Sequence, residues 1–95
     1  IVGCTDSRIS NRYGERGVSL YSIQDVSCSL MCMMLAAYEH GLGSVWVGAF
    51  DEDAMSEILK LQKFLRPVAI VAVGYPSKVP NPPPRISKEE ATEFR

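Results

Sequence analysis

The sequence predicts an α+β fold, a sheet flanked by helices, and three observations predict it. One apolar segment with helical spacing runs from about Leu20 to His40. Two β-branched runs, Ser44 to Val47 and Pro67 to Gly74, read as strands. Between these strands lies Asp51 followed by Glu52 and Asp53, which reads as the start of a second helix. Strands and helices in this irregular order suit a sheet with helices packed against it.

The chain opens on Ile1-Val2-Gly3-Cys4, an apolar β-branched run, so Ile1 to Thr5 is a candidate strand. It begins inside that strand with no methionine or polar lead-in, which suggests a piece of a longer protein. Asp6 to Gly17 reads as a polar loop, with Gly14 and Gly17 as breakers and Arg8, Arg12 and Arg16 as solvated side chains or a weak anion site. The long helix follows, with Ser19 or Ser22 as its cap, Asp25 near its positive end and Gly41 closing it. Ile23, Val26, Leu30, Met33, Met34, Ala37 and Tyr38 follow helical spacing, while Met31, Cys32 and Leu35 carry apolar surface around most of the circumference. A short domain offers few layers to cover such a helix, so one side of residues 20–40 is expected to meet another subunit or the missing half of the protein, with a central core helix in a monomer as the alternative.

Asp51 caps a helix from Glu52 to about Lys60, and its acidic first turn suits the helix dipole. Pro67 to Gly74 is a continuous apolar run, as in a strand covered on both faces. Beyond Pro76 the prolines Pro80, Pro82, Pro83 and Pro84 force an extended arm over 76–86 that delivers Arg85 to a defined place. Ser87-Lys88-Glu89-Glu90 can then start a final short helix.

Ten Lys and Arg against 11 Asp and Glu leave a formal charge of -1, too little field to hold nucleic acid or an anionic membrane. The apolar runs at 30–37 and 67–73 are too short to span a bilayer, so a cytoplasmic protein is expected. Three cysteines, an odd number, argue against a disulfide framework. Cys28 and Cys32 share a helix face, but with His40 as the one histidine no tetrahedral ligand set forms, so the thiols are expected to be buried and no metal is assigned. Nor is there a Ser, His and Asp set, a paired-carboxylate motif or a P-loop, and no catalytic side chain is assigned. The candidate site is instead a backbone feature. Gly48 and Ala49, between a strand end and a helix start, let a planar ligand approach main-chain N–H groups closely; small residues at such a junction also serve structure alone.

In order and spacing, Leu35-Ala36-Ala37, Gly41 to Asp51, Arg66-Pro67-Val68-Ala69 through Val73-Gly74-Tyr75-Pro76, and Pro82-Pro83-Pro84-Arg85 resemble the carboxy-terminal half of the nitroreductase family, as does Tyr13-Gly14-Glu15-Arg16-Gly17 before the long helix. The resemblance covers nearly the whole chain. It implies a nitroreductase-like mixed sheet flanked by helices, with residues 1–95 as the carboxy-terminal portion of one domain and the long helix at a two-fold interface. It implies an FMN-dependent oxidoreductase that passes two electrons from NAD(P)H to a nitroaromatic, quinone or similar small oxidant. The fragment alone is then expected to be inactive; the alternatives are a non-catalytic flavin-binding protein or a structural fragment. The resemblance also places Trp46, Val47, Gly48 and Ala49 along the flavin, with main-chain groups near its N5 and O4 edge, and Arg85 at the FMN phosphate. Donors at that edge favour charge on the reduced ring, and a guanidinium forks onto phosphate oxygens. Trp46 serves packing or ring contact. The chain departs from the family where many members carry Gln-Asn and it has Met31 and Cys32.

Overall fold

The computed structural model describes residues 1–95. Three strands, β1 (Val2–Asp6), β2 (Gly43–Val47) and β3 (Leu65–Gly74), form one sheet in the order β1-β3-β2. Both pairings are antiparallel, so the part of the sheet that this chain supplies is antiparallel. The α+β arrangement itself stands, because β3 is the central strand and helices pack beside it. The run from Pro67 to Val71 places Pro67, Ala69 and Val71 on one buried face, with Ala69 and Val71 fully inaccessible. A proline in a central strand forfeits a ladder hydrogen bond. The register absorbs that loss: Gly3 pairs with Ala69 and Cys4 with Pro67, a bulge that leaves Val68 as the extra residue.

From Ser7 to Glu39 the chain is a succession of helical segments turned at Gly14, which takes φ +65 and ψ -155, so the polar loop expected over Asp6 to Gly17 is overturned while Gly14 does act as a breaker. Short helices α1 (Ser7–Ser10) and α2 (Gly14–Arg16) flank a 3-10 turn at Asn11–Tyr13, and a π-helical turn at Gly17–Tyr21 leads into the long α3 (Ser22–Glu39). Gly17 does not break the run; it holds ordinary helical angles, φ -60 and ψ -45. Its missing side chain is what the bend requires, since a Cβ there would lie 2.1 Å from the main-chain oxygen of Ser10. Because α3 is entered from a helical turn it has no exposed amino terminus to cap. Ser19 and Ser22 instead donate back to the carbonyls of Glu15 and Val18, at 2.8 and 3.0 Å. By length and composition this 33-residue run is apolar enough to cross a membrane, which corrects the expectation that no segment is long enough. In the fold its inner side lies on the sheet.

The carboxyl end of α3 closes as expected. Gly41 takes φ +73, its N–H donates to Tyr38 and the N–H of Leu42 donates to Ala37, the paired bonds of a Schellman motif. Helix α4 (Glu52–Ile58) starts at Asp51, whose carboxylate accepts from the Ala54 N–H at 2.9 Å. Ser87 and Glu90 form a capping box at α5 (Lys88–Ala91).

Leu30, Ala69 and Val71 form the core, with Val26 and Met34 packed against it. Gly3 lets α3 lie close to β1, because a Cβ there would meet Leu30 and Val26 at 2.6 and 2.8 Å. This core is small. Only 8 of 95 residues are buried, and the accessible surface is 8002 Å², against roughly 5,400 Å² for a compact protein of this mass. The radius of gyration is 16.4 Å, where about 12–13 Å is usual for this length. The fold thus presents much apolar surface for other polypeptide to cover. On α3 that surface is the side turned away from the sheet, where Met31 is 50% exposed, Leu35 63% and Tyr38 79%. The helix is therefore amphipathic with respect to its own core, with a second apolar stripe outward.

Candidate functional site

Edge strand β2 delivers Val45, Trp46 and Val47 to the sheet's rim and ends at Gly48-Ala49-Phe50, just before Asp51 starts α4. Val47 is held by pairing with Ile70 of β3. The next residues leave the ladder. The main-chain N–H groups of Gly48, Ala49 and Phe50 donate to nothing within the chain, and Gly48 and Ala49 are exposed. Three consecutive donors are thus displayed on a turn anchored on both sides, by the β2–β3 ladder and the Asp51 cap. Trp46 is 37% exposed, and its indole is the one group near Gly48: a Cβ there would lie 3.4 Å from Nε1.

Helix α4 is tied to the central strand by Arg66, which forks onto Glu52 with Nε and Nη2 at 2.9 and 2.8 Å from the carboxylate oxygens. The guanidinium holds the Glu52 carboxyl below the ordinary glutamate range. Its contribution is therefore present above that range and lost as pH falls through the depressed value. Both side chains are about half exposed, so the pair stabilises by no more than about 1 kcal/mol. Glu52→Gln should lower chemical-denaturation stability by that amount at neutral pH and match the unmodified protein in acid. A difference that persists in acid would show that Glu52 acts through packing.

Arg85 lies on the extended, exposed arm between Pro76 and Ser87. Of the six arginines, Arg8 forks onto Asp6 and stacks over the Phe64 ring at 3.6 Å, and Arg16 donates to the Tyr21 hydroxyl. Arg66 is held by Glu52 and Arg95 by Glu93. Arg12 and Arg85 alone make no ion pair or hydrogen bond with another side chain. Arg8 and Arg16 are thus engaged, while Arg12 and Arg85 keep their donors open. Neither of two surface cavities joins Arg85 to Trp46–Ala49. One, about 310 Å³, lies among Thr5, Ser10, Tyr13, Tyr21 and Asp25, and the other, about 380 Å³, between the end of α3 and the start of the arm. The thiols also differ from expectation: Cys28 and Cys32 are exposed, and Cys4 is half-buried, its thiol pushed up by burial. Their apolar character could not reveal which face of α3 meets the sheet.

The profile of the nitroreductase family matches residues 5–75. The chain belongs to the nitroreductase family. This family assignment agrees with the fold and with the order of the elements around β2. A Methanothermobacter thermautotrophicus protein provisionally named NADH dehydrogenase/NAD(P)H nitroreductase is 31% identical over 84 residues, covering 84% of this chain and 41% of its own length. One from Archaeoglobus fulgidus with the same name is 31% identical over 80 residues, covering 80% and 43%. The chain thus spans less than half the length of these nitroreductase-family relatives. Among solved structures, a nitroreductase family protein from Clostridium difficile superposes with a TM-score of 0.81 at 32% identity, over 96% of this chain and 55% of that one. One from Streptococcus pneumoniae gives 0.80 at 31%, over 88% and 42%.

Proposed function

We propose that this chain is the carboxy-terminal portion, residues 1–95 with its arm at 76–86, of one domain of a cytoplasmic FMN-dependent oxidoreductase. The observation that carries the reading is the row of three unpartnered main-chain donors at Gly48, Ala49 and Phe50, on an exposed turn of a nitroreductase-family fold. These donors fit a flavin, whose ring edge carries acceptor atoms and whose flat face needs small residues beside it. Trp46 and Val47 complete the ring contacts, and Arg85, with its guanidinium open, meets the phosphate. Bound FMN would supply two-electron transfer from NAD(P)H to a nitroaromatic, quinone or similar small oxidant. The residues of this chain bind and orient it: backbone N–H groups stabilise negative charge on the ring edge, and the guanidinium fixes the phosphate. A second copy is proposed to dock on the outward stripe of α3, forming a homodimer.

The test is absorbance of the native-length protein under nitrogen. Flavin absorbance that bleaches on addition of NADPH or NADH supports the oxidoreductase. Flavin that is bound but inert to both nucleotides would make the protein a binder only, and no flavin at all would end the reading.

Ala49 supplies a residue-level test. It is exposed, so Ala49→Val should change stability without flavin by no more than about 0.5 kcal/mol, an ordinary surface effect. The added methyl groups should crowd a ring lying on the turn, and FMN affinity should fall. Unchanged affinity would place the flavin elsewhere.

A further inference from the structure

Two buried hydroxyls in this chain have nothing to bond. Thr5 and Ser10 are each 8% exposed, and the Ser10 Oγ has no hydrogen-bond partner. The Thr5 hydroxyl joins none of the side-chain hydrogen bonds around it, which run from Arg8 to Asp6 and from Ser19 and Ser22 to the carbonyls of Glu15 and Val18. Buried polar groups in folded proteins are normally paired, so two orphans on one cavity point to a missing partner. Both line the same cavity of about 310 Å³, at the lower bound of the volumes that hold small molecules.

Each wall of this cavity has a local cause. β1 contributes Thr5 and α1 contributes Ser10. Gly17 lets the π-helical turn close against α1, because a Cβ there would lie 2.1 Å from the Ser10 carbonyl oxygen. That turn carries Tyr21, whose ring meets Tyr13 edge to face at 6.5 Å, and both tyrosines line the cavity. The start of α3 adds Asp25 and Val26. At 3.6 residues per turn, these two sit on a different flank of α3 from Met31, Leu35 and Tyr38, so a second copy docked on that outward stripe leaves the cavity open.

The charges select the occupant. Asp6 also lines the cavity, but its carboxylate is forked by Arg8. Asp25 makes no ion pair, and no lysine or arginine is among the lining residues. An anion would meet an uncompensated carboxylate there, and a hydrocarbon would leave both hydroxyls unpaired. An ammonium group suits all three, since it donates to carboxylate and hydroxyl oxygens and is attracted by tyrosine rings. We propose that this cavity binds a small organic amine, protonated at neutral pH and carried on a flat apolar body that lies against Tyr13 and Tyr21.

Equilibrium dialysis of phenethylamine against the native-length protein tests the site. The amine should bind at one equivalent per chain, and phenylpropanoate, an anion of similar size, should not bind. Asp25→Asn should weaken the amine about tenfold or more, the effect of losing a charge-assisted hydrogen bond. Asp53→Asn removes the same charge on α4 and should change nothing. Thr5→Val keeps the shape, loses the hydroxyl and should weaken binding about threefold or more. Ser10→Ala should weaken it similarly, and without amine its melting temperature should stay at or above that of the unmodified protein, because the lost hydroxyl had no partner. A melting temperature that falls in Ser10→Ala would show that the rest of the polypeptide already pairs this hydroxyl, and would overturn the site. Equal binding of amine and anion, no binding at all, or amine binding indifferent to Asp25 would overturn it too. Saturating FMN should leave the amine affinity unchanged, which keeps the result independent of the oxidoreductase reading; competition between the two would make this cavity part of the flavin site and end the proposal.

Discussion

Met34→Glu is expected to destabilise the fold while Leu35→Glu leaves it standing, although the two residues are adjacent. Met34 packs against Leu30, Ala69 and Val71, so a carboxylate there loses water with no partner in reach. The cost should be about 3 kcal/mol, the low end of the range for a charge stranded inside, because Met34 is only partly buried. Leu35 is 63% exposed and touches no core residue. Its replacement should shift unfolding by about 0.5 kcal/mol or less. If a second copy docks on this stripe, Leu35→Glu should instead convert the native-length dimer to monomer in light scattering. A dimer untouched by Leu35→Glu would move the interface off α3.

Arg85→Ala is expected to weaken FMN binding roughly ten- to a hundredfold, since charge-assisted hydrogen bonds to an ionised group contribute about 1.5–3 kcal/mol each. The proline arm is stiff, so gripping a phosphate there sacrifices little freedom. Arg85→Lys keeps the charge and loses the planar fork, so affinity should fall in the order Arg, Lys, Ala. Riboflavin lacks the phosphate and should respond hardly at all. Equal losses for FMN and riboflavin in a titration would show that Arg85 supports the arm and does not hold the phosphate.

Much of the fold is legible in local sequence where a single physical requirement dominates. The unbroken apolar run at 67–74 reads as a strand, and β3 is central, although within this chain only the face of Pro67, Ala69 and Val71 is buried and not both faces as expected. Asp51, Gly41 and the Ser87–Glu90 pair each answer a helix end's orphan backbone groups, and each sits where that demand is met. Gly14 breaks the helical run as its sequence suggests, with φ +65, but Gly17 misled because glycine has two uses. At Gly17 the absent Cβ admits the Ser10 carbonyl to a helical bend, and no local pattern separates that from a loop. The thiols misled for a related reason: an apolar helix seen alone does not tell which stripe its own sheet covers. Met34 faces inward and Cys28 and Cys32 outward because β1 and β3 lie on one side. At the site, the small residues at 48 and 49 were legible, but their unpartnered N–H groups follow from where the β2 ladder stops at Val47.

Amide hydrogen exchange at Gly48, Ala49 and Phe50 bears most directly on the proposed flavin site. In the native-length protein without flavin these N–H groups have no partner in this chain and should exchange fast, beside slow amides in β3. Saturating FMN should slow them selectively, more than the amides of α4. Flavin bound, by its absorbance, while these three amides exchange as fast as before would contradict a site built on this turn.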